Sequence, residues 1–173
     1  LPPPGPVRAT GAADTGRNGV GGTGGVVTLT ATDGSPLITL GAGIDTSGGG
    51  GSGAGVGGNV TVNDITTLSA GVAITTGAGA GNITFTSDAT INGAQALTLT
   101  SGTGTITFSG VVGGSTALAL VTLSGQTIDI DANLTASALT ATSGITTFNS
   151  TGVAINTTDR KSTRLNSSHV VNS

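Results

Sequence analysis

The sequence predicts an all-β fold, a parallel β-helix (β-solenoid) of about six rungs, and its periodicity and turn residues support this prediction. A short motif that alternates apolar and polar residues recurs in steps of 33, 23, 23, 22 and 18 residues. A period of about twenty residues is typical of a solenoid, in which each repeat forms one rung. Glycine, Asn and Asp separate the motifs, as expected at corners. The copies begin at Gly25, Gly58, Gly81, Gly104, Gln126 and Gly144.

The composition agrees with one domain that has a narrow, repetitive core. The 173 residues include 32 glycines, 8% charged residues and no Cys, Met, Trp or Tyr. Ordinary disorder needs high net charge and few apolar residues, so the low charge argues against it. Because Met is absent, we expect an internal piece of a longer protein, in which a missing signal peptide is uninformative. No apolar run approaches the ~18 residues of a membrane helix, so we expect no membrane insertion.

Residues 1–24 are Pro-rich and then Gly-rich, a composition that buries little, and we expect a poorly ordered linker there. The solenoid repeats are predicted over 25–158. Each repeat begins with a strand whose alternate apolar residues point to one face, while the Thr or Asp between them faces water. The inward pairs are Val60/Val62, Ile83/Phe85, Ile106/Phe108 and Ile128/Ile130.

Stacked rungs place equivalent side chains in columns, so we expect these pairs to be buried and their strands to run parallel. One column, Val62, Phe85, Phe108, Ile130 and Phe148, contains every Phe of the chain.

A second alternating strand closes each repeat after a short middle piece. Residues 118–123 are ambiguous, because either Leu118 and Leu120 or Val121 and Leu123 could face inward. Clear examples of the second strand are 36–40, 72–75, 96–100 and 138–142.

The 33-residue first step contains an insertion, residues 48–58, made almost entirely of glycine. It has almost nothing to bury, so we expect a flexible loop that leaves the coil.

Residues 159–173 break the repeat and hold three of the five basic residues and the only His. The eleven residues from Asp159 to His169 resemble a short-read sequencing adapter translated in frame, and the alternative is a genuine basic tail. We therefore exclude the segment from fold reasoning. It is expected to be disordered, to lack regular structure and to pack on no rung.

Charge and residue types bear on function. Six Asp and no Lys or Arg lie between residues 25 and 158, so nucleic acid is a poor partner. Outside the tail there is no His to activate a nucleophile. Asp129 and Asp131 lie on one face of a strand, where a weak calcium site and two solvated acids are the alternatives. We predict no catalytic residues, no cofactor-binding residues, no metal ligands and no cofactor.

Two other functions fit parallel β-helices. Polysaccharide-cleaving enzymes of this fold need convergent carboxylates, or Asp with Lys or Arg, and the acids here are spread one or two per rung. Flat Thr-x-Thr ladders bind ice in some β-solenoids, but Thr also simply suits an exposed strand face. The unequal repeat steps are expected to disturb a flat lattice match. The Thr pairs are Thr84/Thr86, Thr98/Thr100, Thr105/Thr107 and Thr140/Thr142.

The chain resembles the β-strand-repeat region of large bacterial surface exoproteins, the filamentous-haemagglutinin-like and autotransporter adhesins. The resemblance covers roughly 25–158 and rests on Gly-Asn-(Val/Ile)-Thr-(Val/Phe) strand starts and on segments 41–49 and 105–114. It implies a right-handed β-helix in a secreted or cell-surface stalk that is not an enzyme. Binding of surface glycans or proteins would then involve regions outside this chain. Because neither flanking segment can pair with a rung, we also expect self-association through exposed rung edges.

Overall fold

The computed structural model describes residues 7–11, 19–31, 37–148, 154–157, 164–167 and 170–172. Every regular element within these ranges is a β-strand, as predicted. The strands are β1 (Val7–Arg8), β2 (Val27–Leu29), β3 (Ile38–Leu40), β4 (Ile44–Asp45), β5 (Val60–Val62), β6 (Thr66–Leu68), β7 (Val72–Thr75), β8 (Ile83–Phe85), β9 (Ile91–Asn92), β10 (Ala96–Thr100), β11 (Thr105–Phe108), β12 (Leu118–Ser124), β13 (Thr127–Ile130), β14 (Leu134–Ser143), β15 (Ile145–Phe148), β16 (Ile155–Thr157), β17 (Arg164–Ser167) and β18 (Val170–Asn172).

The strands form three parallel sheets. Sheet 1 has the order β2-β5-β8-β11-β13-β15-β18. Sheet 2 has the order β3-β6-β9, and single bridges continue it from Ile91 to Val112 and from Val112 to Leu134. Sheet 3 has the order β1-β4-β7-β10-β12-β14-β16, and β17 also pairs with β14. A chain that visits the sheets in turn and pairs each strand with the corresponding strand of the next repeat is consistent with a β-solenoid.

The predicted core columns are confirmed where the side chains are described. In sheet 1, β8 and β11 pair in parallel, with Ile106 beside Ile83 and Phe108 beside Phe85. The two Phe rings stack with centroids 5.1 Å apart and an interplanar angle of 11°. Phe148 lies beside Ile130 in the same register. The six predicted residues Ile83, Phe85, Ile106, Phe108, Ile128 and Ile130 are all buried.

The ambiguous segment 118–123 combines both alternatives. Val121 and Leu123 face inward beside Leu97 and Leu99, while Leu118 is also buried and Leu120 is 37% exposed. Two adjacent residues, Ala119 and Leu120, are exposed, so the inward–outward alternation shifts by one position within β12. The strand therefore turns a corner that the sequence alternation alone does not locate.

The unequal repeat lengths are accommodated at the corner between sheet 3 and sheet 1. At this corner an inward-facing hydroxyl donates a hydrogen bond to the carbonyl oxygen of a glycine near the start of the next sheet 1 strand. The bond joins residues 12, 5 and 3 positions apart in three successive repeats. The sheets therefore stay in register despite unequal steps, and the expectation that these steps disturb the ladders is wrong. The bonds are Thr46 Oγ1 to Gly58 O at 2.7 Å, Thr76 Oγ1 to Gly81 O at 2.9 Å and Ser101 Oγ to Gly104 O at 3.1 Å.

The linker prediction for 1–24 is wrong for the residues that the structure describes there. Strand β1 pairs with β4, and the amide of Gly24 donates to the carbonyl of Val56 at 2.9 Å. Gly21 and Gly24 are buried. The segment contributes backbone to the sheets, which its lack of apolar side chains concealed. Residues 1–6 and 12–18 of the predicted linker lie outside the described part, as do Asp33 and Pro36.

The flexible-loop prediction for 48–58 is also wrong. Gly49, Gly55, Gly57 and Gly58 are buried, and the amide of Gly49 donates to the carbonyl of Gly22 at 2.7 Å. Glycine has no side chain, so one backbone layer can lie directly on the next. The stretch therefore buries backbone surface, where we had looked only for apolar side chains.

The tail prediction is wrong for residues 164–167 and 170–172. These residues form β17, which pairs with β14, and β18, which pairs with β15. The side chain of Leu165 lies outside the described part of the structure. A sheet edge offers backbone donors and acceptors that any extended segment can satisfy, whatever its sequence. The pairing therefore follows from the open edge and does not bear on the adapter resemblance.

Candidate functional site

The carboxylates of the described residues lie on separate strands and corners. Among these residues no three His, Cys, Asp or Glu side chains lie close enough to hold a metal ion. Asp131 accepts a hydrogen bond at Oδ2 from Ser109 Oγ at 3.3 Å, while its Oδ1 is buried without a partner. Asp129 lies in register with Thr107 and Thr147 on sheet 1. The strand thus presents two carboxylates on one outward face, as predicted, and the described residues bring no third acid to them.

A surface concavity of about 440 Å³ lies at the corner between sheets 1 and 2. Asp64 and Asp88 bring two carboxylates to it, and Ile65, which is 39% exposed, contributes apolar surface. Asp64 Oδ2 already accepts a hydrogen bond from the amide of Ala31 at 2.8 Å. We had assigned no role to this pair, although the two acids fall about one repeat apart and the alignment of repeats could have found it. Ser87 and Thr90 complete the lining.

Asparagine side chains link successive repeats along sheet 1. Asn59 Oδ1 accepts from the amide of Asn82 at 2.9 Å, and Asn82 Oδ1 accepts from the amide of Thr105 at 2.9 Å. Each bond spans 23 residues, one repeat. Asn133 does the same for the amide of Ala154 at 2.9 Å. These side chains extend the ladders beyond the backbone bonds, so their chemistry serves assembly of the coil.

We predict that Asn82→Ala lowers the free energy of unfolding by about 1 kcal/mol, because it removes the acceptor of the Thr105 amide. Asn82→Asp keeps an acceptor oxygen at the same place and should lose less. Urea denaturation of both variants and the wild type measures the difference. Equal losses in the two variants would show that the side-chain bond contributes nothing.

A small polar cluster fixes the junction of β1 and β4. Arg8 Nη2 lies 3.1 Å from Asp45 Oδ2, and Ser47 donates to Asp45 Oδ1 from its Oγ at 2.7 Å and from its amide at 3.0 Å. The side-chain bond from Ser47 is the main reason that the pKa of Asp45 lies below its ordinary value of 3.8. The Ser47 amide and the charge of Arg8 lower this pKa further, and partial burial opposes them. Asp45 therefore ties the N-terminal strand to the repeats.

The lowered pKa predicts a pH-dependent contribution of Asp45 to stability. A carboxyl with a depressed folded pKa stabilises the fold above its unfolded pKa, and this is lost as pH falls through the folded value. Ser47→Ala should cost about 1 kcal/mol at pH 7, and its difference from the wild type should shrink below pH 3.8. Thermal melts at pH 7 and pH 3 measure this. Asp45→Asn, which cannot titrate there, serves as control, and a Ser47→Ala deficit that stays constant with pH would contradict the assignment.

The outer face of sheet 3 carries hydroxyl side chains in register. We call this surface the hydroxyl face and define it by two columns of outward residues in β7, β10, β12 and β14. Parallel pairing places Thr98 beside Thr122 and Thr122 beside Thr140. The first column is Ala73, Thr98, Thr122 and Thr140, and the second is Thr75, Thr100, Ser124 and Thr142.

Of the four predicted Thr-x-Thr pairs, Thr98/Thr100 and Thr140/Thr142 meet on this face. Thr84 and Thr107 form a separate column on sheet 1. Thr105 lies beside Thr127 there, and Thr86 Oγ1 donates to the carbonyl of Val62 at 3.4 Å. The structure thus divides the pairs between two faces, of which only the hydroxyl face aligns successive pairs.

Comparison with known proteins identifies no relative. No family model matches the chain, and neither the curated proteins nor the solved structures contain a match. In the described part of the chain no helix is long and apolar enough to span a membrane.

Proposed function

We propose that this chain is a non-catalytic structural segment of a large secreted or cell-surface bacterial repeat protein of the adhesin type. In this proposal the coil is a right-handed β-helix of about six rungs that forms part of a stalk. The observation that carries it is the continuous parallel pairing of sheet 1, which joins seven strands from β2 to β18 without a change of direction.

The side chains of the chain support a scaffold role. Asn59, Asn82 and Asn133 bond to the backbone of a neighbouring repeat, and the inward hydroxyls of Thr46 and Thr76 close corners. Such bonds use polar groups to hold one repeat to the next. A solenoid stabilised by contacts between neighbouring repeats can be lengthened by adding more of them, which suits a stalk.

The proposed partners are glycans or proteins of a host or environmental surface, contacted by regions outside this chain. The acids along the repeats and the absence of Lys and Arg from residues 25–158 disfavour a phosphate backbone as partner. A stalk of this kind places the protein outside the cell.

The length of the particle tests the proposal. The chain is joined to the neighbouring repeats of its gene, and small-angle scattering or electron microscopy measures the long axis. Each added rung should lengthen a rod by about 4.8 Å at constant width. A particle that grows in all dimensions would contradict the stalk.

The alternative, a fragment of a β-helix polysaccharide-cleaving enzyme, predicts activity that depends on the concavity. Incubation of the parent protein with plant and bacterial polysaccharides, followed by reducing-end and unsaturated-product assays, detects it. Cleavage that disappears in Asp88→Asn while the fold remains would favour the enzyme over the stalk.

We predict that the isolated chain self-associates. Among the described strands, β2 and β18 each have one neighbour in sheet 1, so each leaves one edge for another strand. Unpaired parallel edges are templates for further strands. Sedimentation of the full chain over a wide concentration range should show oligomers that grow with concentration. A sharp monomer with a concentration-independent melt would show that the edges are covered.

A further inference from the structure

The hydroxyl face is built as a two-dimensional array. Strand geometry sets neighbouring hydroxyl positions about 4.8 Å apart across strands and about 6.6 Å apart along a strand. Because the corners accommodate the unequal repeat lengths, Thr98, Thr122 and Thr140 keep this spacing through repeats of different length. The array therefore repeats in both directions, which a ligand with its own periodicity could match.

The protein does not use most of these hydroxyls. Within the described residues, no side-chain hydrogen bond involves the hydroxyls of Thr98, Thr100, Thr122, Ser124, Thr140 or Thr142. Thr75 is the exception, since its Oγ1 accepts from the amide of Gly77 at 3.1 Å. Six donors and acceptors thus face solvent beside the threonine methyl groups.

Sheet 1 provides a contrast. Its outer face includes the carboxylates of Asp129 and Asp131, and the hydroxyl of Ser109 is bonded to Asp131. The hydroxyl face carries no charged residue between Ala73 and Thr142, and its adjoining outward column holds Ala96, Leu120 and Ala138. Of the two faces, only the one on sheet 3 is neutral.

These features indicate the chemistry of the partner. A sugar surface is usually held by exposed aromatic rings, but the chain has no Trp or Tyr, and Phe85 and Phe108 are buried. A charged polymer would find no opposite charge here. A neutral lattice of hydrogen-bonding groups fits hydroxyls at fixed spacing, and methyl groups between them favour ordered water over free water.

We propose that the hydroxyl face binds the surface of ice. Its hydroxyls bond to lattice water, and its methyl groups lie in the gaps of the lattice. The proposal is independent of the stalk function, since a stalk without ice affinity and an ice-binding protein without a stalk are both possible outcomes.

The test is incorporation of the full chain into slowly grown ice, with one matched pair of variants. Thr122→Lys places a long charged side chain at the centre of the hydroxyl face, and Thr107→Lys places the same side chain at the equivalent outward position of sheet 1. We expect the wild type and Thr107→Lys to enter the ice and to shape single crystals. Thr122→Lys should lose most of both effects. Circular dichroism and thermal melts of all three proteins verify that the fold is retained.

Two results would overturn the proposal. One is exclusion of the folded wild type from ice to the same extent as a protein without ice affinity. The other is an equal loss of incorporation in both folded variants, which would place the contact elsewhere. Binding to microcrystalline cellulose or chitin that Thr122→Lys abolishes, without incorporation into ice, would assign the face to a crystalline polysaccharide instead.

Discussion

Phe108→Ala is expected to lower the free energy of unfolding by about 3–5 kcal/mol, because it removes a buried ring and leaves a cavity. Phe108 is fully buried and stacks on Phe85, with centroids 5.1 Å apart. In register it lies between Phe85 and Ile130, so the cavity would open between two neighbouring repeats. Urea denaturation at low protein concentration, followed by circular dichroism, measures the loss.

The adjacent Thr107 provides the control. It lies on the outward face of the same strand, and surface substitutions of this kind usually change stability by less than about 0.5 kcal/mol. Thr107→Ala should therefore unfold at nearly the wild-type urea concentration. A loss below about 1 kcal/mol for Phe108→Ala would mean that the column collapses around the missing ring or is not tightly packed.

Gly55→Ala is expected to destabilise the chain by about 1–3 kcal/mol, the usual cost of overpacking. A Cβ atom at Gly55 would lie 2.3 Å from the carbonyl oxygen of Gly22 and 2.5 Å from that of Gly21. Both obstacles are backbone atoms, so they cannot move aside as a flexible side chain would. Thermal melts of the variant measure whether residues 48–58 are packed or free.

Gly50→Ala is the matched control within the same glycine-rich stretch. A Cβ atom at Gly50 would meet nothing within 4 Å. Because the substitution also restricts the unfolded chain, it should be neutral or stabilising by up to about 1 kcal/mol. If Gly55→Ala is equally harmless, the stretch is the flexible loop that its composition suggests, and the packed arrangement is wrong.

The sequence by itself determined the strand-forming motif and the side of each strand that is buried. Alternation with a period of two is a local property, so Ile83 and Phe85 could be assigned to the core without knowledge of their neighbours. Repetition of the motif then predicted which residues would stack, and the parallel pairing of β8 with β11 agrees. Both inferences depend on side chains, whose hydropathy is visible in the sequence.

Only the tertiary structure decided how the glycine-rich segments pack. Gly24 and Gly55 are buried by backbone contacts, and backbone contacts leave no hydropathy pattern. For the same reason β1 and β17 could not be predicted, because an open sheet edge accepts strands of almost any sequence.

The tertiary structure also decided which outward side chains share a surface. The candidate hydroxyl face required that Thr98, Thr122 and Thr140 lie side by side, and their unequal separations along the chain argued against it. Their register depends on corners that close with the same hydrogen bond whether 12 or 3 positions separate donor and acceptor. Sequence spacing counts every residue of a corner, whereas the sheet registers only the residues that pair. The array therefore follows from where the extra residues leave the sheet, which is a property of the folded chain.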